Sequence, residues 1–215
     1  MREKLSCQHI RGSGLEIGGL HYPLPVAPDV KVAYIDRLPL ETLKVQNPSL
    51  NITNEVIVDS AETLATMPNG SQDFVIANHV LEHCENPLLA LQNWRRVLKP
   101  GGIAFVALPI KDYTFDVARA VTPFEHLVKD YLDGPDWSLR DHYVDWYSNS
   151  KLEGLTGDKL KEMVDLATAK RSNIHFHVWD LPAIQHLAQL GGLMTNFKAY
   201  EVHHNGSEAI VLLFT

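Results

Sequence analysis

DFVIANHVLEHCENPLLALQNWRRVLKPGGIAFVALP, residues 73–109, reads as strand, helix, strand. Asp73–Ala77 and Ile103–Leu108 are apolar runs of strand length. Between them Asn86 suits an N-cap and Pro87 the first helical position. Leu88, Leu91, Trp94 and Leu98 recur at helical spacing, so one face of this helix is expected to lie on a sheet. Arg95, Arg96 and Lys99 crowd the last turn, where cations complement the helix dipole. Lys99-Pro100-Gly101-Gly102 then stops the helix and turns the chain back.

The same rhythm extends towards the N-terminus. Leu15–Ile17, Lys31–Ile35 and Glu55–Val58 are further candidate strands. Such alternation predicts an α/β fold whose parallel sheet is wrapped by helices. Towards the C-terminus a helix is expected near Leu181–Leu190, closed by Gly191-Gly192. Strands near Phe197–His203 and Glu208–Phe214 should pair as an antiparallel hairpin. The rhythm breaks between about residues 110 and 180, a stretch rich in aromatics and His that holds one polar helix, Gly157–Arg171. This is expected to be an insertion in a single domain spanning 1–215, because about 70 residues is thin for an independent core.

Composition narrows the function. A net charge of −7 with no basic run argues against a nucleic-acid partner. No apolar run approaches the roughly 20 residues that span a bilayer, so no membrane partner is expected. The two cysteines, Cys7 and Cys84, form no CxxC pair. Reduced thiols in a cytoplasmic protein are the simplest reading. The N-terminal MREKLSCQHIRG is too charged for a signal peptide.

The first turn, GLEIGGLHYPLP at 14–25, carries the cofactor argument. A dinucleotide site needs GxGxxG and a helix whose N-terminus holds a pyrophosphate. Here Gly18-Gly19 is followed by Pro23, Pro25 and Pro28, and only 14 residues separate Ile17 from Val32. A dehydrogenase is therefore disfavoured. S-adenosylmethionine has no phosphate and needs close backbone approach, which glycine permits. Asp36, with Arg37 beside it, follows the second strand, where a carboxylate can accept from both ribose hydroxyls. Asp59, Ser60 and Ala61 follow the third strand, where an adenine edge would lie. Asn78 and His79 end the fourth, below the expected sulfonium. Glu16 and His21 are candidates for the amino-acid end.

LEIGGLHYPL (15–24), VAYIDR (32–37), VDSAETL (58–64), the stretch 73–109 and EAIVLLF (208–214) together resemble the class I S-adenosylmethionine-dependent methyltransferases of the type 11 group. The resemblance covers roughly 15–109 and the C-terminal hairpin. It implies a Rossmann-like methyltransferase fold: a mostly parallel seven-stranded sheet, an antiparallel C-terminal hairpin and an insertion after strand 5. It also implies S-adenosylmethionine as cofactor and S-adenosylhomocysteine as product. The first motif departs from the family's spaced glycines, and the helix after it is short or missing. Pro109–Asp116 resembles a stretch found in one poorly characterised subgroup, which leaves the acceptor open.

The acceptor side is read from position. Lys111, Asp112 and Tyr113 follow the fifth strand at its carboxyl end and are candidate substrate contacts; their plain alternative is a polar loop. His79, His175 and His177 are candidate bases. His79 could equally pack under the cofactor. His175, His177 and Trp179 would share one face if IHFHVW is an extended edge strand lining the pocket. His83 is read as a cap of the following helix. Glu82 and His83 offer only two obvious metal ligands, so no metal is expected. The expected function is methyl transfer to a small-molecule or sugar hydroxyl or amine. A non-catalytic binding protein and a protein methyltransferase are the alternatives, and the aromatic insertion could serve a homodimer.

Overall fold

The computed structural model describes residues 1–19 and 22–215. His21 therefore lies outside the described residues. A helix α1 (Arg2–His9) precedes β1 (Ser13–Ile17) and β2 (Lys31–Asp36). Then come α2 (Leu40–Gln46), β3 (Val56–Val58), β4 (Gln72–Asn78), α3 (Pro87–Val97) and β5 (Leu98–Pro109). The following segment holds α4 (Phe124–Asp133), α5 (Leu139–Asn149) and α6 (Gly157–Lys170). The chain closes with α7 (Leu181–His186), a π-helical turn (Leu187–Gly191), the short α8 (Gly192–Met194), β6 (Ala199–His204) and β7 (Glu208–Phe214).

The seven strands run in the order β3-β2-β1-β4-β5-β7-β6. The first five are parallel, and β7 is antiparallel to both β5 and β6. The order reverses between β1 and β4, so a crevice opens there at the strands' carboxyl ends.

Side chains alternate across the sheet, as the period of a strand demands. Val75 and Ala77 of β4 face α3, packing with Leu88, Leu91 and Trp94. Phe74 and Ile76 face the opposite side with Leu5, Ile10 and Leu24. The proline-rich run after the first turn thus has a structural purpose. Instead of a helix, α1 and an extended segment cover that face: Leu24 and Leu5 are buried, and Ser6 Oγ donates to the Pro25 carbonyl. A third core of Tyr143, Trp146, Val164 and Phe176 joins α5 and α6 to residues 174–176. The segment between β5 and α7 begins and ends at one point, where Lys111 N donates to Trp179 O at 3.0 Å.

Two local expectations are corrected. Gly191-Gly192 does not end its helix, which continues through the π turn to Met194. A Cβ on Gly191 would come within 2.9 Å of Leu187 Cδ1 and 3.2 Å of Leu88 Cδ2, so the residue serves close helix packing. The IHFHVW segment is not an edge strand; the strand that closes the sheet there is β6. Its backbone is instead fastened to the loop after β4, with Phe176 N donating to Glu82 O at 2.8 Å.

Candidate functional site

A cleft of about 500 Å³ lies over the carboxyl ends of β1, β2, β3 and β4. Gly18, Asp36, Arg37, Asp59, Ser60, Ala61 and His79 line it together with Glu62, His83 and Cys84. Its outer wall comes from Glu85, Arg171, Asn173 and Phe176. The loops that the sequence places at successive strand ends therefore converge on one cavity.

Each wall has a local cause. Gly18 has φ +67°, and its N–H donates to the Ile35 carbonyl at 2.9 Å. A side chain is strained in that region of backbone space. Asp36 Oδ1 accepts from Leu38 N at 3.2 Å, and burial raises its pKa against the backbone donors that lower it. The loop after β3 is tightly pinned. Asp59 accepts from Ser60 N, Ala65 N, Thr66 N and Thr66 Oγ1 at 2.6–3.1 Å. Burial opposes its charge, but these donors win and hold its pKa below the ordinary value. From α3, Trp94 Nε1 donates to Ala61 O, and Arg96 donates to the carbonyls of Thr63, Leu64 and Met67. Asp59 is thus chiefly a loop former, and Arg96 does more than complement a helix dipole.

Glu16 sits at the sheet edge beneath the glycine turn. It is buried, its Oε1 accepts from Leu24 N at 2.8 Å, and burial pushes its pKa up to about 7. Its Oε2 and both polar side-chain atoms of Asn78 are buried without a hydrogen-bond partner among the described residues. Gly19 faces away from the cleft, where a Cβ would crowd Glu16 and Tyr34.

The histidines separate in role. His79 adopts φ +54°, and its ring meets Glu208 Oε2 at 3.3 Å and Glu82 Oε1 at 3.4 Å. Burial disfavours the charge, yet the hydrogen bonds to Glu208 and Glu82 outweigh it and raise the pKa to about 9. An imidazolium has no lone pair, so in this setting His79 is a cation and not a proton acceptor at neutral pH. Arg2 grips the same Glu208, tying α1 to the hairpin. His83 behaves oppositely. Its Nδ1 lies 2.9 Å from the Ile174 carbonyl, which can only accept. The proton is therefore on Nδ1, and Nε2 keeps its lone pair. Burial lowers the pKa of His83, leaving the ring neutral beside the cleft.

His175 and His177 lie behind this wall and do not line the cavity. His175 Nδ1 is 2.6 Å from Asp116 Oδ2, and the His83 and His175 rings meet edge to face at 4.6 Å. Asp116 is in turn held by Arg119 Nη1 at 2.8 Å. Lys111, Asp112 and Tyr113 are not brought to the cleft; Lys111 Nζ donates to the Val117 carbonyl and Tyr113 is exposed. Sequence reasoning missed the neutral His83 in the cleft wall, and the Asp116–Arg119 pair behind it. Asp116 and Arg119 pair with each other three residues apart, but their further partners, His175 and Asp145, come from distant segments.

A family model for a methyltransferase domain matches residues 29–106. That stretch, from just before β2 into β5, resembles a methyltransferase domain. Solved structures similar to this chain include a SAM-dependent methyltransferase from Thermotoga maritima, at TM-score 0.53 and 15% identity over 99% of this chain and 87% of that one. One from Methanosarcina mazei matches at TM-score 0.50 and 15% identity, over 94% and 92% of the two chains. One from Aquifex aeolicus matches at 0.50 and 14%, over 94% and 81%. These likenesses establish the Rossmann-like fold. No curated protein matches. The domain and fold imply S-adenosylmethionine as the methyl donor. The lining of the cleft fits that cofactor: Gly18, at positive φ, leaves backbone room, and the Asp36 carboxylate at the end of β2 can accept from ribose hydroxyls, whereas Glu16 and Asn78 lie outside the lining.

Proposed function

We propose that this methyltransferase acts on a small-molecule hydroxyl, entering between the carboxyl edge of the sheet and the wall formed by Arg171, Asn173 and Phe176. The observation that carries this reading is the neutral His83, with its Nε2 lone pair, beside the cleft. Bound S-adenosylmethionine supplies an electrophilic methyl group, and the protein supplies alignment. Gly18 leaves room for the cofactor's amino-acid end, with Glu16 and Asn78 beneath it. Asp36 accepts from the ribose hydroxyls, and the pinned loop 59–62 bounds the adenine. The cation at His79 keeps a fixed geometry between β4 and β7 and accepts no proton. His83 takes the acceptor's hydroxyl proton at Nε2, and its Nδ1–H stays on the Ile174 carbonyl.

Thermal unfolding with S-adenosylhomocysteine tests the cofactor half. At 100 times its dissociation constant the ligand should add about 2.7 kcal/mol, raising the midpoint by roughly 5–10 °C. NAD should give no shift, and Asp36→Ala should abolish the response to S-adenosylhomocysteine. An unmoved wild-type midpoint would point to a non-catalytic protein instead.

His83→Gln tests the acceptor half. Once a screen supplies a hydroxyl acceptor, turnover should fall by about 10²- to 10⁴-fold while S-adenosylhomocysteine binding stays intact. Wild-type turnover should begin to rise with pH below the ordinary imidazole range, and the variant should lose that limb. Unchanged turnover with the limb retained would remove His83 from the chemistry.

A further inference from the structure

The segment between β5 and α7 holds a second group of converging side chains, away from the cleft. His126 and Asp130 stand one turn apart on α4, so they share a face. His142 comes from α5 and His177 from the stretch before α7. Potential ligand atoms of all four lie within 4.8 Å of one another. His126 Nε2 is 3.1 Å from His142 Nε2 and 3.3 Å from Asp130 Oδ2. His177 Nε2 is 3.8 Å from the same Asp130 oxygen.

We infer that these four residues form a closed, tetrahedral site for a zinc-class divalent cation. Three imidazoles and one carboxylate make a donor set that such a cation prefers. Four ligands about 2.0–2.1 Å from a tetrahedral centre stand roughly 3.3–3.4 Å apart; the separations of 3.1, 3.3 and 3.8 Å bracket that value, and the remaining ones stay within 4.8 Å.

A second observation points to a ligand. Asp130 is fully buried, and its Oδ2 accepts no well-formed hydrogen bond among the described residues, although the Nε2 atoms of His126 and His177 stand 3.3 and 3.8 Å away. An unpaired buried carboxylate oxygen is costly, and a cation satisfies it. The surroundings hold the carboxylate in place: Ser138 Oγ donates to Oδ1 at 3.3 Å, and Asn86 Nδ2 donates to the Asp130 carbonyl at 2.7 Å. Burial also favours the neutral rings of His142 and His177, the form a metal requires.

The competing arrangement is a metal-free hydrogen-bond network, in which His177 Nε2 donates to the Glu85 carbonyl 3.3 Å away. Loading exchanges that bond for coordination. With four protein ligands no position is left open for a reactant, so the site is structural. It joins α4 and α5 to the stretch before α7 that carries His177.

Metal uptake by the full chain decides between the two. The protein is stripped with a chelator, dialysed and titrated with Co²⁺, then with Zn²⁺. One equivalent of Co²⁺ should bind with the intense visible absorption of tetrahedral geometry, and Zn²⁺ should displace it and raise the thermal midpoint. Asp130→Asn and His142→Gln should each lose the absorption, with folding checked by circular dichroism. His83→Gln should retain it. Absence of stoichiometric uptake by the wild-type chain overturns the site, a result that does not depend on any variant folding. So does uptake that survives both substitutions. Loss in His83→Gln with retention in His142→Gln would place the ion at the neighbouring Glu82, His83 and His175 and equally overturn it.

Discussion

Arg119→Met is expected to destabilise the protein by up to about 3–5 kcal/mol, because it leaves the buried Asp116 carboxylate with His175 as its only side-chain partner. Arg119 and Asp116 are both buried, with Nη1 donating to Oδ1 at 2.8 Å. The same guanidinium reaches Asp145 Oδ2 at 2.7 Å and lies 5.3 Å from the Trp146 ring. The turn at 116–119 and α5 thus meet on one side chain. For a chain of this length the unfolding midpoint should fall by roughly 6–20 °C. Adding Asp116→Asn removes the stranded charge and should recover a large part of the loss. A single-variant loss below about 1 kcal/mol would mean that water or a conformational change relieves the carboxylate.

Glu16→Gln is expected to work in the opposite direction above neutral pH. The folded protein holds this carboxyl near pKa 7, against an ordinary 4.5, because burial penalises its charge. Its contribution to stability is whole below about pH 4.5 and declines as pH rises through about 7. A difference of that size corresponds to about 3 kcal/mol. Gln keeps an acceptor for Leu24 N but carries no titrating charge. Denaturant unfolding across this window should therefore show a wild-type decline that the variant lacks, with the variant the more stable at pH 8. Parallel pH dependences would show that Glu16 is solvated in the folded chain.

The sheet was legible because its strands are apolar runs bounded by breakers, and α3 because its cap, stripe and stop signals agree. Asp36, Ser60 and His79 were legible as cleft residues because strand ends in such a sheet converge by topology. What escaped the sequence depends on contacts between distant segments. The tautomer of His83 is set by a carbonyl 91 residues away. The high pKa of His79 comes largely from Glu208 on the last strand. Lys111 is drawn away by the Val117 carbonyl, a choice that its position alone does not reveal. His126 and Asp130 did carry a local sign, one helical turn apart, but their partners His142 and His177 lie on other elements.

The hydrogen bond from Lys111 N to Trp179 O has an evolutionary consequence. A chain that leaves and re-enters a scaffold at one point can be lengthened, shortened or exchanged there without disturbing the register of any strand. Residues 112–178 are in that sense a cassette, with one constraint: any replacement must again offer a carbonyl where Ile174 meets His83.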